Sequence, residues 1–205
     1  MSPRVGSVVW DLGAVVIDWN PRYLYRTLLP DDAAVEAFLG EVCTPEWHHR
    51  HDEGRPMAEG VAELVDAFPD RAELIRAYVD RWDDMFAGQI EGSVALIDDL
   101  AVAGVPQYGL TNWPAEMFPR ARARFPVLER LRGVVVSGEE GVAKPSPEAF
   151  RRLLGRFGLE AASCLFVDDS ARNVEAAAAL GFAVERFTTP AAFRGRLERE
   201  GLLAG

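Results

Sequence analysis

The strongest constraint on this chain is a short apolar run near its beginning, Val8-Val9-Trp10, that delivers one carboxylate, Asp11. The run breaks at Gly13 before resuming as Ala14-Val15-Val16-Ile17-Asp18. Its length and β-branched composition are those of a buried strand, so Asp11 is expected at the carboxyl end of one. In a parallel α/β sheet that end opens into the crevice where loops and helix N-termini gather ligands. A lone Asp after a strand also starts ordinary turns, so the rest of the chain decides whether Asp11 carries chemistry.

From residue 92 onward helix and strand alternate. The sequence predicts a helix over 94–103 ended by Gly104, then a strand over 105–110 running into Thr111-Asn112-Trp113. A helix near 114–124, a strand Val134-Val135-Val136 and a loop from Gly138 to Lys144 follow. Ser146-Pro147 starts a further helix, and the strand Cys164-Leu165-Phe166-Val167 ends in Asp168-Asp169. An alanine-rich helix over 173–180 closes at Gly181, and a strand over 182–184 and a helix over 191–203 complete the pattern. Together with the opening strand, this alternation predicts an α/β fold, a Rossmann-like doubly wound parallel sheet with helices on both faces.

Between 19 and 91 the periodicity is helical and no strand is expected. Asn20-Pro21 and Asp31 read as helix starts, and Asp70 as the start of a helix carrying Ile75, Tyr78, Val79, Trp82, Met85 and Phe86 on one face. The expected division is a core domain of 1–18 and 92–205 with an inserted α-helical cap domain of 19–91. Gly88 and Gly92 on one side, and Trp19-Asn20-Pro21 on the other, would flank the crossings as hinges.

At 205 residues, 49% hydrophobic and 26% charged, the chain can bury a full core. A net charge of -10 without a Lys/Arg cluster argues against nucleic acid. No segment approaches the roughly eighteen apolar residues of a membrane span, and the first residues lack a signal-peptide pattern. Cys43 and Cys164 read as buried thiols rather than a disulfide. A cytoplasmic protein is expected; nothing in the sequence addresses its oligomeric state.

Three expected strands end in polar residues at one sheet edge: Asp11, Thr111-Asn112 and Asp168-Asp169, with Lys144 in a loop on that side. Adjacent carboxylates repel unless a cation or a proton intervenes, so Asp168 and Asp169 together with Asp11 suggest a hard divalent ion, and Mg2+ suits an all-oxygen set. Thr111 and Asn112 offer donors to an anionic oxygen. Taken alone, Lys144 reads as a solvated lysine.

In order, Asp11-Leu12-Gly13-Ala14-Val15, Thr111-Asn112, Lys144-Pro145-Ser146-Pro147-Glu148 and Phe166-Val167-Asp168-Asp169-Ser170 with Asn173 resemble the four motifs of the haloacid dehalogenase-like hydrolase superfamily, helical-cap class. Within it, the glycine two places after the first Asp and the paired acids resemble bacterial sugar-phosphate phosphatases such as α-D-glucose-1-phosphate phosphatase. The resemblance implies a phosphoric monoester hydrolase acting on a small phosphorylated substrate. Asp11 would attack phosphorus, with Lys144 neutralising charge and Thr111, Asn112 and Lys144 binding the phosphoryl group. Asp11, the Gly13 carbonyl, Asp168 and Asp169 would hold Mg2+, and Asn173 would orient the loop or Lys144.

Many phosphatases of this superfamily carry a second Asp, the general acid, where this chain has Gly13. The glycine keeps a carbonyl for the metal and lacks the acid. All three histidines lie in Trp47-His48-His49-Arg50-His51, read as a solvated helix face from which one could supply a proton. Trp19 and Trp113 read as pocket walls or core. Two rival readings are a metal-independent 2-haloacid dehalogenase using Asp11 against carbon, and a catalytically silent module that binds a phosphorylated ligand.

Overall fold

A computed structural model describes residues 5–204; Met1 to Arg4 and Gly205, which the expected core includes, lie outside the described residues. In chain order the strands are β1 (Ser7–Trp10), β2 (Ile17–Trp19), β3 (Phe86–Gln89), β4 (Gln107–Thr111), β5 (Val134–Val136), β6 (Cys164–Asp168) and β7 (Ala183–Arg186). The helices are α1 (Pro21–Tyr25), α2 (Asp32–Glu41), α3 (Pro45–Asp52), α4 (Met57–Ala67), α5 (Ala72–Asp80) and α6 (Glu91–Val102). They continue with α7 (Phe118–Arg124), α8 (Ser137–Glu140), α9 (Pro147–Phe157), α10 (Ala171–Ala179) and α11 (Pro190–Arg199).

The apolar run forms β1, the middle of a five-stranded sheet of order β5-β4-β1-β6-β7, parallel at every pairing. Alternation along β1 sends Val8 and Trp10 into one hydrophobic core and Val9 into another, where it meets Phe150, Leu153 and Phe166. A strand buried on both faces needs helices on both sides, which is the expected α/β architecture. Helix ends follow the sequence signals. Asn20, Asp31 and Ser146 each cap a helix through the side chain, and Gly104, Gly158 and Gly181 take positive φ just beyond α6, α9 and α10.

Two expectations between residues 19 and 91 are corrected. Asp70 lies in a 3-10 turn (Pro69–Arg71), α5 begins at Ala72, and the periodic run leaves the α-helix after Asp80. Trp82 and Met85 stay buried because they continue in a 3-10 turn, where a spacing of three keeps side chains eclipsed on one side. Phe86 begins a strand: β3 pairs antiparallel with β2, Asp18 opposite Gly88, with a register irregularity between Asp18 and Trp19. Gly88 takes φ +144, so the expected hinge glycine sits inside a ribbon that ties the two crossings together. Among the described residues, no helix is long and apolar enough to cross a membrane.

Candidate active site

Parallel pairing brings the polar strand ends together. Trp10 aligns with Gly109 of β4 and Val167 of β6, so Asp11 falls level with the ends of both neighbours. The Asp11 amide donates to the Val167 carbonyl at 2.9 Å, and the Leu12 amide donates to Asp11 Oδ1 at 2.8 Å. The backbone thus fixes the carboxylate before any distant side chain reaches it.

Lys144 is buried, not solvated. Its Nζ donates to Asp168 Oδ2 at 2.7 Å and lies 2.8 Å from Asp11 Oδ1. Burial pushes the ammonium's pKa down, but Asp11 and Asp168 pull it up, and the net direction is up. A charge this deep persists because two carboxylates flank it. Asn112 fastens the Lys144 loop: its Nδ2 donates to the Lys144 carbonyl and its Oδ1 accepts from the Lys144 amide, both at 2.8 Å. Through those bonds the Asn112 side chain positions Lys144, while its Nδ2 keeps a second N–H and the residue lines the cleft. Thr111 Oγ1 is buried without a hydrogen-bond partner, a donor left open at the strand end.

Asp168 is likewise committed. Its Oδ1 accepts from the Ser170 amide at 2.8 Å, and Asn173 Nδ2 reaches both oxygens at 3.0 Å, alongside Lys144 on Oδ2. Asn173 therefore orients Asp168, and Asp168 orients Lys144. One carboxylate oxygen each from Asp11, Asp168 and Asp169 lies within 4.8 Å of the other two, a hard-donor set of the kind a divalent cation takes. Burial raises the Asp11 carboxyl to about 7 against the pull of Lys144, with Asp168 adding to the rise. Burial, then Asp168, also raises Asp169. Asp168 carries the most protein donors of the three, and the exposed Asp169 the fewest. The hydrogen bonds of the Gly13 loop run from Val16 and Ile17 to Leu12 and from Ala14 to Ile17, leaving the Gly13 carbonyl out of them.

The histidine stretch is not a solvated face. His48 is stacked on Trp19 at 5.2 Å, and its Nδ1 lies 3.1 Å from the Tyr78 hydroxyl. Burial, with His49 adding to it, holds its pKa down at about 4, so it stays neutral. His51 is fully buried with Nδ1 2.9 Å from the Arg55 carbonyl. His49 lines a cleft with Pro45 and Glu46 on one wall and Asn112, Lys144 and Asn173 on the other. Arg172 at its mouth adds a cation that the sequence reading did not single out. Trp113 packs in the core against Phe86, whereas Trp19 also walls an apolar cavity of about 330 Å³ inside the insert.

A strand-end carboxylate, a buried lysine and an acid pair thus converge from strand ends and loops in motif order, and a haloacid dehalogenase-like hydrolase profile matches residues 16–181. The chain belongs to the haloacid dehalogenase-like hydrolases. Sesquiterpene phosphatase astK of Aspergillus oryzae is 27% identical over 182 residues, 85% of this chain and 86% of the relative. A phosphoglycolate phosphatase of Pectobacterium atrosepticum is 28% identical over 109 residues, and this hydrolase spans only 47% of its length. Among solved structures, a predicted HAD-like hydrolase from Porphyromonas gingivalis superimposes with TM-score 0.74 at 20% identity, covering 96% of this chain and 98% of that one. A HAD family enzyme from Bacteroides thetaiotaomicron, solved with magnesium and inorganic phosphate, gives TM-score 0.70 at 18% identity over 90% and 95% of the two chains. These structures share the fold. The relatives carry phosphatase names, and we assign this haloacid dehalogenase-like hydrolase to the expected class, the phosphoric monoester hydrolases.

Proposed function

We propose that the protein is a Mg2+-dependent phosphatase that hydrolyses a small phosphorylated metabolite, such as a sugar phosphate, through an aspartyl-phosphate on Asp11. The observation that carries this reading is Lys144 Nζ, buried between Asp11 Oδ1 at 2.8 Å and Asp168 Oδ2 at 2.7 Å, with Asp169 beside them. An anionic nucleophile meets a phosphate dianion only where cations offset the repulsion, and the chain's net charge of -10 makes that local arrangement decisive.

Asp11 attacks phosphorus, a carboxylate–phosphorus bond forms, and the ester P–O bond breaks to release an alcohol. Water then attacks the same phosphorus, the bond to Asp11 breaks, and inorganic phosphate leaves. Lys144 holds Asp11 in place and stabilises charge on the phosphoryl oxygens, and the open Thr111 hydroxyl donates to one of them. Mg2+, when bound, would be held by Asp11, Asp169 and the Gly13 carbonyl and would supply further positive charge at the phosphoryl group. The magnesium and phosphate reported for the Bacteroides thetaiotaomicron enzyme support this assignment.

Phosphate release from a panel of phosphorylated metabolites, with Mg2+ and with chelator, tests the reading. Mass spectrometry after rapid acid quench should find one phosphoryl group on the peptide containing Asp11. Metal-independent halide release from 2-haloacids, with no phosphate released from any ester, would overturn it in favour of carbon chemistry.

A further inference from the structure

The phosphatase reaction moves a proton twice: the leaving alkoxide must gain one, and the attacking water must lose one. Gly13 gives the loop beside Asp11 no side chain for either transfer. The wall that faces Asn112 and Lys144 across the cleft is α3, on which Pro45, His49 and Asp52 recur at i, i+4 and i+7 and so share a face. Pro45 and His49 line the cleft with Asn112 and Lys144. The end of α3 is pressed on the core: a Cβ at Gly54 would sit 3.1 Å from the Gly138 carbonyl, in the segment that leads to Lys144.

Asp52 is buried beside His48 and His49 without a hydrogen bond to Oδ1. Its side chain is 8% exposed, and Oδ1 is sealed from water. His48 Nε2 lies 3.4 Å from Oδ1, off hydrogen-bond alignment, and His49 Nδ1 lies 3.9 Å from Oδ2. A buried carboxyl left unsatisfied weakens a fold, and one on the helix face that lines the cleft, near enough to Lys144 to feel its charge, is a functional candidate. The titratable groups acting on it are His48 and His49 on its own helix, Glu53 just past the helix end, Tyr78 from α5 and Lys144 from the core. Burial raises its pKa to about 7, partly offset by His49 and then Lys144. A group poised there can give a proton in one step and take one in the next.

We propose that Asp52 is the general acid and base of the phosphatase reaction, brought by the helical insert in place of the side chain that Gly13 lacks. The assignment rests on the aspartyl-phosphate reading. Protonated Asp52 gives its proton to the ester oxygen as the P–O bond breaks and the Asp11–phosphorus bond forms. Asp52, now a carboxylate, takes a proton from the water that attacks phosphorus, which restores both carboxyl groups and releases phosphate.

The test compares wild type, Asp52→Asn, Asp52→Glu and His49→Gln on dinitrophenyl phosphate and on glycerol phosphate, with Mg2+ present. Asn keeps the size and neutrality of the protonated acid, and thermal melting establishes that each variant is folded. Asp52→Asn should lose about 10²- to 10⁴-fold in turnover of glycerol phosphate. With dinitrophenyl phosphate, whose leaving group needs no proton, it should release about one equivalent of phenolate per enzyme in a fast burst and then stall as the aspartyl-phosphate. Asp52→Glu should recover part of the glycerol phosphate turnover, and His49→Gln should show no burst-and-stall pattern.

Glycerol phosphate turnover in Asp52→Asn within threefold of wild type would overturn the proposal. So would an equal loss on both esters without a burst, or the burst-and-stall pattern appearing in His49→Gln instead. Those results leave the phosphatase reading standing, whereas a wild-type enzyme that releases phosphate from no ester overturns both.

Discussion

Replacing Asp52 by Asn should stabilise the protein, by an amount that grows with pH. The Asp52 carboxyl is raised from 3.8 to about 7 in the folded state, chiefly by burial. The folded chain therefore binds that proton more tightly than the unfolded chain. Well below pH 3.8 both states are protonated and the carboxyl resembles the amide. As pH rises from 4 toward 7 the unfolded state ionises while the folded state does not, so wild-type stability falls; above 7 the loss is complete. Moving a midpoint from 3.8 to about 7 corresponds to about 4 kcal/mol as a ceiling. Urea unfolding of wild type and Asp52→Asn at pH 3 and pH 8, in chelator so that metal binding does not contribute, should show near-equal stabilities at the lower pH. At the higher pH the variant should lead by up to roughly that amount, about ten degrees in midpoint temperature for a chain of this size. A gap that does not change with pH, or one that closes as pH rises, would refute the burial argument.

Asp11→Asn should lower turnover by about 10⁴-fold or more while leaving the melting temperature near wild type, because the amide is isosteric and a poor nucleophile; phosphate release read beside circular dichroism checks it. Thr111→Val, which removes a buried hydroxyl that bonds nothing, should leave stability unchanged within about 1 kcal/mol yet weaken inorganic phosphate binding by roughly tenfold, measured by calorimetry. Chelation should abolish turnover and Mg2+ restore it, with Asp169→Ala shifting the Mg2+ requirement upward in a titration of rate against metal. Gly13→Asp should fold, since Gly13 lies outside the left-handed region and a Cβ there meets nothing within 4 Å; combined with Asp52→Asn it should restore glycerol phosphate turnover.

The core was legible because its signals are local. The run Val8-Val9-Trp10 has the composition of a doubly buried strand, and glycines at 104, 158 and 181 end helices for reasons contained in their own turns. The site was legible as far as polar residues follow strands, which identified Asp11, Thr111, Asp168 and Asp169. How those residues divide the labour was not, because it depends on contacts distant in sequence: Asn112 and Lys144 are 32 positions apart, and a lone lysine before proline carries no sign of two flanking carboxylates. The ribbon of Phe86–Gln89 with Ile17–Trp19 escaped for the same reason, since pairing across 70 residues overrode a helical spacing that continued through Phe86. Asp52 was passed over among charged neighbours; its spacing from His48 and His49 puts all three on adjoining faces of one helix, but its burial comes from packing that no local pattern encodes.

The β2–β3 ribbon has a consequence for how the two parts of the chain move. Both crossings between core and helical insert run through it, and it is anchored beyond its own rungs by Ile90 N–H to the Val16 carbonyl and Asn20 N–H to the Met85 carbonyl, each at 2.8 Å. Two strands bonded side by side cannot swing independently, so any displacement of the helical segment against the sheet would have to bend one flat spring rather than two loose tethers. Asp11 stands on the sheet side of that spring and His49 on the helical side. A variant that frays the Asp18–Gly88 pairing should therefore change turnover without replacing any group that contacts substrate, through the stiffness of the strip that joins the cleft's two walls.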